Sequence, residues 1–133
     1  MYMSCEKDKM ICYDENKKLI QQILIDNKEK IIGYIRVSYS DDSEKEIKRQ
    51  EDIIINFCKE FNVNCNHIYI DNGFSGVNFD RPGIKEIINV KEKKVLLMSN
   101  INILTRSYMK IQDFIKNLNI SIIGINDGFI IKR

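Results

Sequence analysis

Two hydrophobic periods divide this chain. Ile31, Ile32, Gly33, Tyr34 and Ile35 form an apolar run that Arg36 interrupts before Val37 and Ser38, the pattern of a buried strand that ends in polar residues. Ser43 with Glu46 then gives a capping-box pattern, and Ile47, Ile54, Phe57, Cys58 and Phe61 trace one face of a long helix. His67 to Ile70 reads as a second strand. Asp71, Asn72, Gly73, Ser75, Gly76 and Asn78 make a turn-rich loop after it, and Asp80, Arg81 and Pro82 open a second helix, where proline is tolerated in the first turn. Val95 to Met98 is a third strand, Leu104, Tyr108, Ile111, Ile115 and Leu118 a third amphipathic helix, and Ile120 to Ile125 a fourth strand. This alternation predicts an α/β fold, a mostly parallel sheet of four to five strands with helices on both faces and right-handed crossovers.

Residues 1–30 stand apart as a charge-rich N-terminal extension. Leu19, Ile20, Ile23 and Leu24 recur there at helical spacing, which predicts one short amphipathic helix that packs on the main domain or is offered to a partner. Thirty residues without a glycine give no room for a helix-turn-helix. The expected organisation is therefore an extension over 1–30 and one α/β domain over 31–133.

Composition narrows the class without deciding it. At 133 residues and 44% apolar, the chain can bury one core. No run of 18 apolar residues occurs, and Glu6, Lys7, Asp8 and Lys9 stand where a secretory signal needs an apolar stretch, so a cytoplasmic protein with no membrane partner is expected. Cys5, Cys12, Cys58 and Cys65 form no C-x-x-C pair, and His67, the only histidine, has no second ligand at metal spacing, so reduced thiols and no metal or cofactor are expected. A net charge of +2 neither announces nor excludes nucleic acid. Lysine outnumbers arginine 16 to 5 and alanine is absent, as in an AT-rich coding sequence, so the positions that kept arginine are informative.

In a parallel sheet, ligands bind beyond the carboxyl ends of the strands. That rim gathers Ser38, the 71–80 loop and the 99–106 segment, each directly after a strand. Arg36 is costly inside a buried strand unless an anion meets it, either a structural carboxylate or a phosphate. Gln50 lies on the apolar side of its helix and should reach the strand ends or cap a backbone group. Arg81 and Arg106 fall near helix starts, where the macrodipole disfavours positive charge; each is either solvated or shares an anion with helix amides.

These residues resemble a known family. Tyr34-Ile-Arg36-Val-Ser38 is similar to the Y-x-R-V-S opening of serine recombinases of the resolvase/invertase group, and Arg49-Gln50 to the R-Q pair of their first long helix. Asp71-Asn-Gly-Phe-Ser75-Gly76 with Asp80-Arg81-Pro82-Gly83 resembles their D-x-G-x-S-G and D-R-P-G segment. Asn102-Ile103-Leu104-Thr105-Arg106 is a weaker match to D-R-L-G-R, and Asn126-Asp127-Gly128 resembles the terminal D-G turn. Four of the five arginines fall on motif positions. The resemblance implies a resolvase catalytic-domain fold and DNA strand breakage and rejoining through a phosphoserine at Ser38, as in site-specific recombination and DNA integration by mobile elements. It implies that Arg36 and Arg81 grip the phosphate, that Arg106 supports it or the leaving oxygen, and that Tyr34, Gln50, Asp71 and Ser75 position the surrounding groups. Energy is kept in the covalent link, so no cofactor is implied.

Two departures bear on activity. Asn102 and Ile103 replace an acidic residue and an arginine of D-R-L-G-R, and the chain stops at Arg133, where the family continues into a long dimer helix and a DNA-binding domain. The expectation is an impaired or partner-dependent recombinase domain that holds DNA weakly alone, with a full-length recombinase, another DNA-binding protein or further copies of itself as partner. The alternative is a catalytically inactive relative, a regulator or remnant of a mobile element. A generic flavodoxin-like binding domain is disfavoured, since no glycine-rich phosphate loop follows the first strand.

Overall fold

The computed structural model describes residues 9–12, 17–38, 43–73, 81–89, 94–105, 109–112 and 120–132. In chain order the elements are β1 (Lys9–Cys12), α1 (Lys17–Asp26), β2 (Ile31–Val37), α2 (Ser43–Glu60), β3 (His67–Asn72), α3 (Pro82–Asn89), β4 (Lys94–Met98), a 3-10 turn (Ile101–Ile103), β5 (Ile120–Gly124) and β6 (Phe129–Lys132). Residues 109–112 are also helical. Among the described residues the sheet has six strands in the order β1-β6-β5-β4-β2-β3. β3, β2, β4 and β5 are mutually parallel, as the alternation predicts. β6 returns antiparallel to β5 and pairs with β1 on its far side.

The two-residue period of the strands sorts their side chains onto two cores. Ile31, Ile35 and Val37 of β2, with Val95, Leu97 and Ile123, pack against Ile54, Phe57 and Cys58 of α2, Phe61 just past its end, and Ile20, Ile23 and Leu24 of α1. Ile32 and Tyr34, with Leu96, Met98, Ile120 and Ile122, face Ile84 and Ile87 of α3, Ile101, Leu104 and Ile111. Both faces are covered, which is why β2, β4 and β5 read as near-continuous apolar runs.

The predicted parallel α/β sheet is present, and β1 and β6, each four residues long, extend it at one edge, β6 pairing with β5 and β1 with β6. Two expectations are corrected. Leu104 does not begin the third helix: it caps the 3-10 turn, and Thr105 follows outside any element. Glu46 does not close a capping box; Arg49 and Gln50 take its carboxylate from further along α2. Tyr108, Ile115, Leu118, most of the 71–80 loop and the side chain of Leu19 lie outside the described residues. Among those described, no helix is long and apolar enough to cross a membrane.

Candidate active site at the carboxyl ends of the strands

Alternation along β2 puts Tyr34 and Arg36 on the α3 side of the sheet, with Ser38 next in the same series. Ser38 is exposed, one residue beyond the strand. Arg36 is half-buried. Its Nε donates to the carbonyl of Ile103 at 2.7 Å and its Nη2 to that of Asn102 at 3.1 Å. Backbone carbonyls of the 3-10 turn thus hold this guanidinium at the rim.

Tyr34, Asp71 and Arg81 form a buried network behind Arg36. The Tyr34 hydroxyl donates to Asp71 Oδ2 at 2.7 Å and accepts from Arg81 Nη1 at 2.9 Å. Burial, then the Asp71 hydrogen bond, pushes the Tyr34 hydroxyl well above the ordinary tyrosine range, against a smaller opposing effect of Arg81. Arg81 is only 1% exposed; Nη2 donates to Leu104 O at 2.5 Å and Nη1 to Ile103 O at 3.4 Å. A buried guanidinium costs several kcal/mol unless charge and dipoles compensate it, and here Asp71, relayed by the tyrosine, and two carbonyls do so.

Asp71 also answers the question posed by the start of α3. Its Oδ1 accepts from the Gly83 amide at 2.7 Å and its Oδ2 from that of Ile84 at 3.3 Å. The anion shared between helix amides and an arginine is thus internal, a carboxylate from β3 serving as a remote N-cap. Gly83 permits it: a Cβ there would lie 2.9 Å from Asp71 Oδ2.

Gln50, 1% exposed, reaches the end of β2 as its position predicts, donating from Nε2 to Arg36 O at 3.2 Å and to Glu46 Oε2 at 2.9 Å. Its Oε1 is buried and has no partner among the described residues. Arg49, three residues from Glu46, pairs with it at 2.8 Å and holds its carboxyl below the usual range. Tyr34, Arg36, Gln50, Asp71 and Arg81 therefore meet at one end of the sheet, with Ser38 at its tip. Ser75 and Arg106 lie outside the described residues.

The carbonyls of residues 102–104, which organise both arginines, were not legible in the sequence, because every residue carries a carbonyl and only the turn aims these three. Cys58 and Cys65 are free thiols near the opposite, amino end of β2, and Cys65 Sγ donates to His67 O at 3.4 Å. No three metal-ligating side chains gather among the described residues.

The family described as Resolvase, N terminal domain matches residues 31–132. The chain belongs to this family. Among solved structures, this resolvase domain is similar to the N-terminal catalytic domain of TP901-1 integrase, with 26% identity and a TM-score of 0.68 over 74% of this chain and 79% of that one. It is similar to the first ORF in transposon ISC1904 from Sulfolobus solfataricus P2, with 25% identity and a TM-score of 0.56 over 73% and 67%. It shares its fold with the C-terminal catalytic domain of ISC1926 TnpA, an IS607-like serine recombinase, at 24% identity and a TM-score of 0.60 over 71% and 66%. No curated protein matches the chain. Asn102, Ile103 and Leu104, the first residues of the segment that resembles D-R-L-G-R, lie in the 3-10 turn and its cap, and Ile103 packs half-buried against the α3-side core.

Proposed function

We propose that this resolvase domain breaks and rejoins DNA through a phosphoserine at Ser38, with reduced or partner-dependent activity. The Ser38 hydroxyl oxygen forms a bond to phosphorus while a sugar oxygen leaves and takes up a proton; attack by the hydroxyl of another DNA end then restores a phosphodiester and releases serine. One phosphoester replaces another at each step, so the exchange needs no external energy.

The observation that carries this reading is the exposed Ser38 just past the carboxyl end of β2, two residues beyond a half-buried Arg36. A serine hydroxyl is a weak nucleophile, so preorganised positive charge around the phosphorus must supply much of the acceleration. Arg36 would grip the phosphate, Arg106 would support it or the leaving oxygen, and Gln50 and Ser75 would position the surrounding groups. Arg81, assigned to the phosphate by resemblance, supports the site in this arrangement from behind, with Tyr34 and Asp71. The integrase and transposon proteins of similar structure favour DNA as substrate, and the net charge of +2 favours a partner that strengthens DNA contact.

One observation favours the second reading, a non-enzymatic relative that regulates a full-length recombinase or remains from a mobile element. Ile103 supplies an apolar side chain where the motif supplies a guanidinium, and a lost preorganised charge of this kind costs roughly a hundred-fold or more in rate. The two readings separate when the protein is incubated with supercoiled DNA, alone and with a partner recombinase, and then denatured. A covalent protein–DNA adduct that Ser38→Ala abolishes is expected; no adduct under either condition establishes the non-enzymatic reading instead.

A further inference from the structure

We propose that Asp127 is a positioning residue for the phosphoryl-transfer site, acting on Arg36 through the 3-10 turn; this rests on the recombinase reading above. Asp127 lies in the turn between β5 and β6, 26 residues beyond Ile101, yet its Oδ2 accepts from the Ile101 amide at 2.6 Å and its Oδ1 from Asn100 Nδ2 at 3.4 Å. The turn's own N-cap, Asn100, makes no side-chain cap bond, so Asp127 caps it from outside. A carboxylate at the first amide and guanidinium groups on the last carbonyls match the polarity of a helical turn at both ends.

The opposite end of that turn holds Arg36 through Ile103 O and Asn102 O, and Arg81 through Ile103 O and Leu104 O. Asp127 and Arg36 are thus joined through the three residues of the hydrogen-bonded turn. Two features keep the carboxylate in place. The turn bearing it is docked on the end of β4, where the Ile125 amide donates to Met98 O at 2.9 Å and that of Asn126 to Ser99 O at 2.7 Å. Gly124 leaves the space: a Cβ there would fall 2.4 Å from Asp127 Oδ2 and 2.8 Å from Ile101 Cγ1. Such crowding is far inside contact distance, so Gly124→Ala must displace the carboxylate.

The test follows the Arg36 Nε–Hε resonance, assigned by its loss in Arg36→Lys, in the full chain. Asp127→Ala and Gly124→Ala should each speed solvent exchange of that proton by about tenfold, the equivalent of one ordinary hydrogen bond, while backbone amides of β2 and α2 keep their protection. Asp127→Asn, which still offers an oxygen to the Ile101 amide, should retain most of the wild-type protection. On supercoiled DNA the adduct rate should fall in the order Asp, Asn, Ala at an unchanged half-saturating DNA concentration, since Arg36 acts on the reacting phosphate. Unchanged Arg36 exchange in Asp127→Ala overturns the latch whatever the DNA result. Faster exchange with an undiminished adduct rate overturns the positioning role. Absence of adduct in the wild type, both alone and with a partner recombinase, removes the recombinase reading and this role together, and the exchange data still show whether turn and arginine are coupled.

Discussion

At the residue scale, Tyr34 has the most consequential surroundings, because one buried hydroxyl joins Asp71, which starts α3, to Arg81, which holds the 3-10 turn. Tyr34→Phe keeps the ring and its packing but leaves two charged partners short of a hydrogen bond, a loss of about 1–3 kcal/mol in urea unfolding. The same environment sets a pH dependence. The folded hydroxyl titrates above the unfolded tyrosine value of about 10. As pH rises past that value the unfolded chain gives up a proton the native chain retains, so this contribution is complete below pH ~10 and declines above it. Spectrophotometric titration of wild type should show tyrosine absorbance that appears only with alkaline unfolding; Tyr34→Phe should lack that component. Arg36 and Gln50 show what sequence can and cannot convey at this scale. A charge in an apolar strand and an amide on an apolar helix face are visible anomalies, and both reach backbone carbonyls at the rim. Which carbonyls receive them depends on a turn with no sequence period.

At the element scale, α3 depends on a cap from another strand. Gly83→Ala would ordinarily gain a fraction of a kcal/mol in helix propensity. Here its methyl would press on Asp71 Oδ2 and loosen the bonds to the Gly83 and Ile84 amides. Overpacking and cap loss, about 1–3 kcal/mol together, outweigh that gain, so a net loss of stability is expected in thermal or urea unfolding. The parallel strands and the first two domain helices could be read from sequence because each buries a continuous or periodic apolar face, as Ile31 to Ile35 and Ile54, Phe57 and Phe61 do. α1 was equally legible, since Ile20, Ile23 and Leu24 are buried on one side. β1 and β6 were not: four residues such as Lys9–Cys12 are too short to show a period, and pairing makes them strands, β6 with β5 across a short turn and β1 with distant β6. Leu104, which caps the 3-10 turn, was read as the start of a helix because it continues the apolar spacing of Ile111.

At the scale of the whole molecule, a resolvase domain carries its nucleophile candidate at the tip of a strand whose preceding side chains belong to one hydrogen-bonded assembly. Asn102 and Ile103 take part in this assembly through their carbonyls, which any side chain would leave in place. Under the proposed function, what they lack beside the D-R-L-G-R motif that their segment resembles is side-chain charge. Ile103→Arg should therefore raise the rate of adduct formation by about tenfold or more, measured on supercoiled DNA against the parent; an unchanged rate would mean that residue 103 does not face the reacting phosphate. The most direct measurement locates the covalent bond itself. Protein trapped on DNA is digested with nuclease and protease, and the peptides are analysed by mass spectrometry. The account predicts a nucleotide on Ser38; a nucleotide on Ser40 or Ser43, or on no serine of this segment, would contradict it.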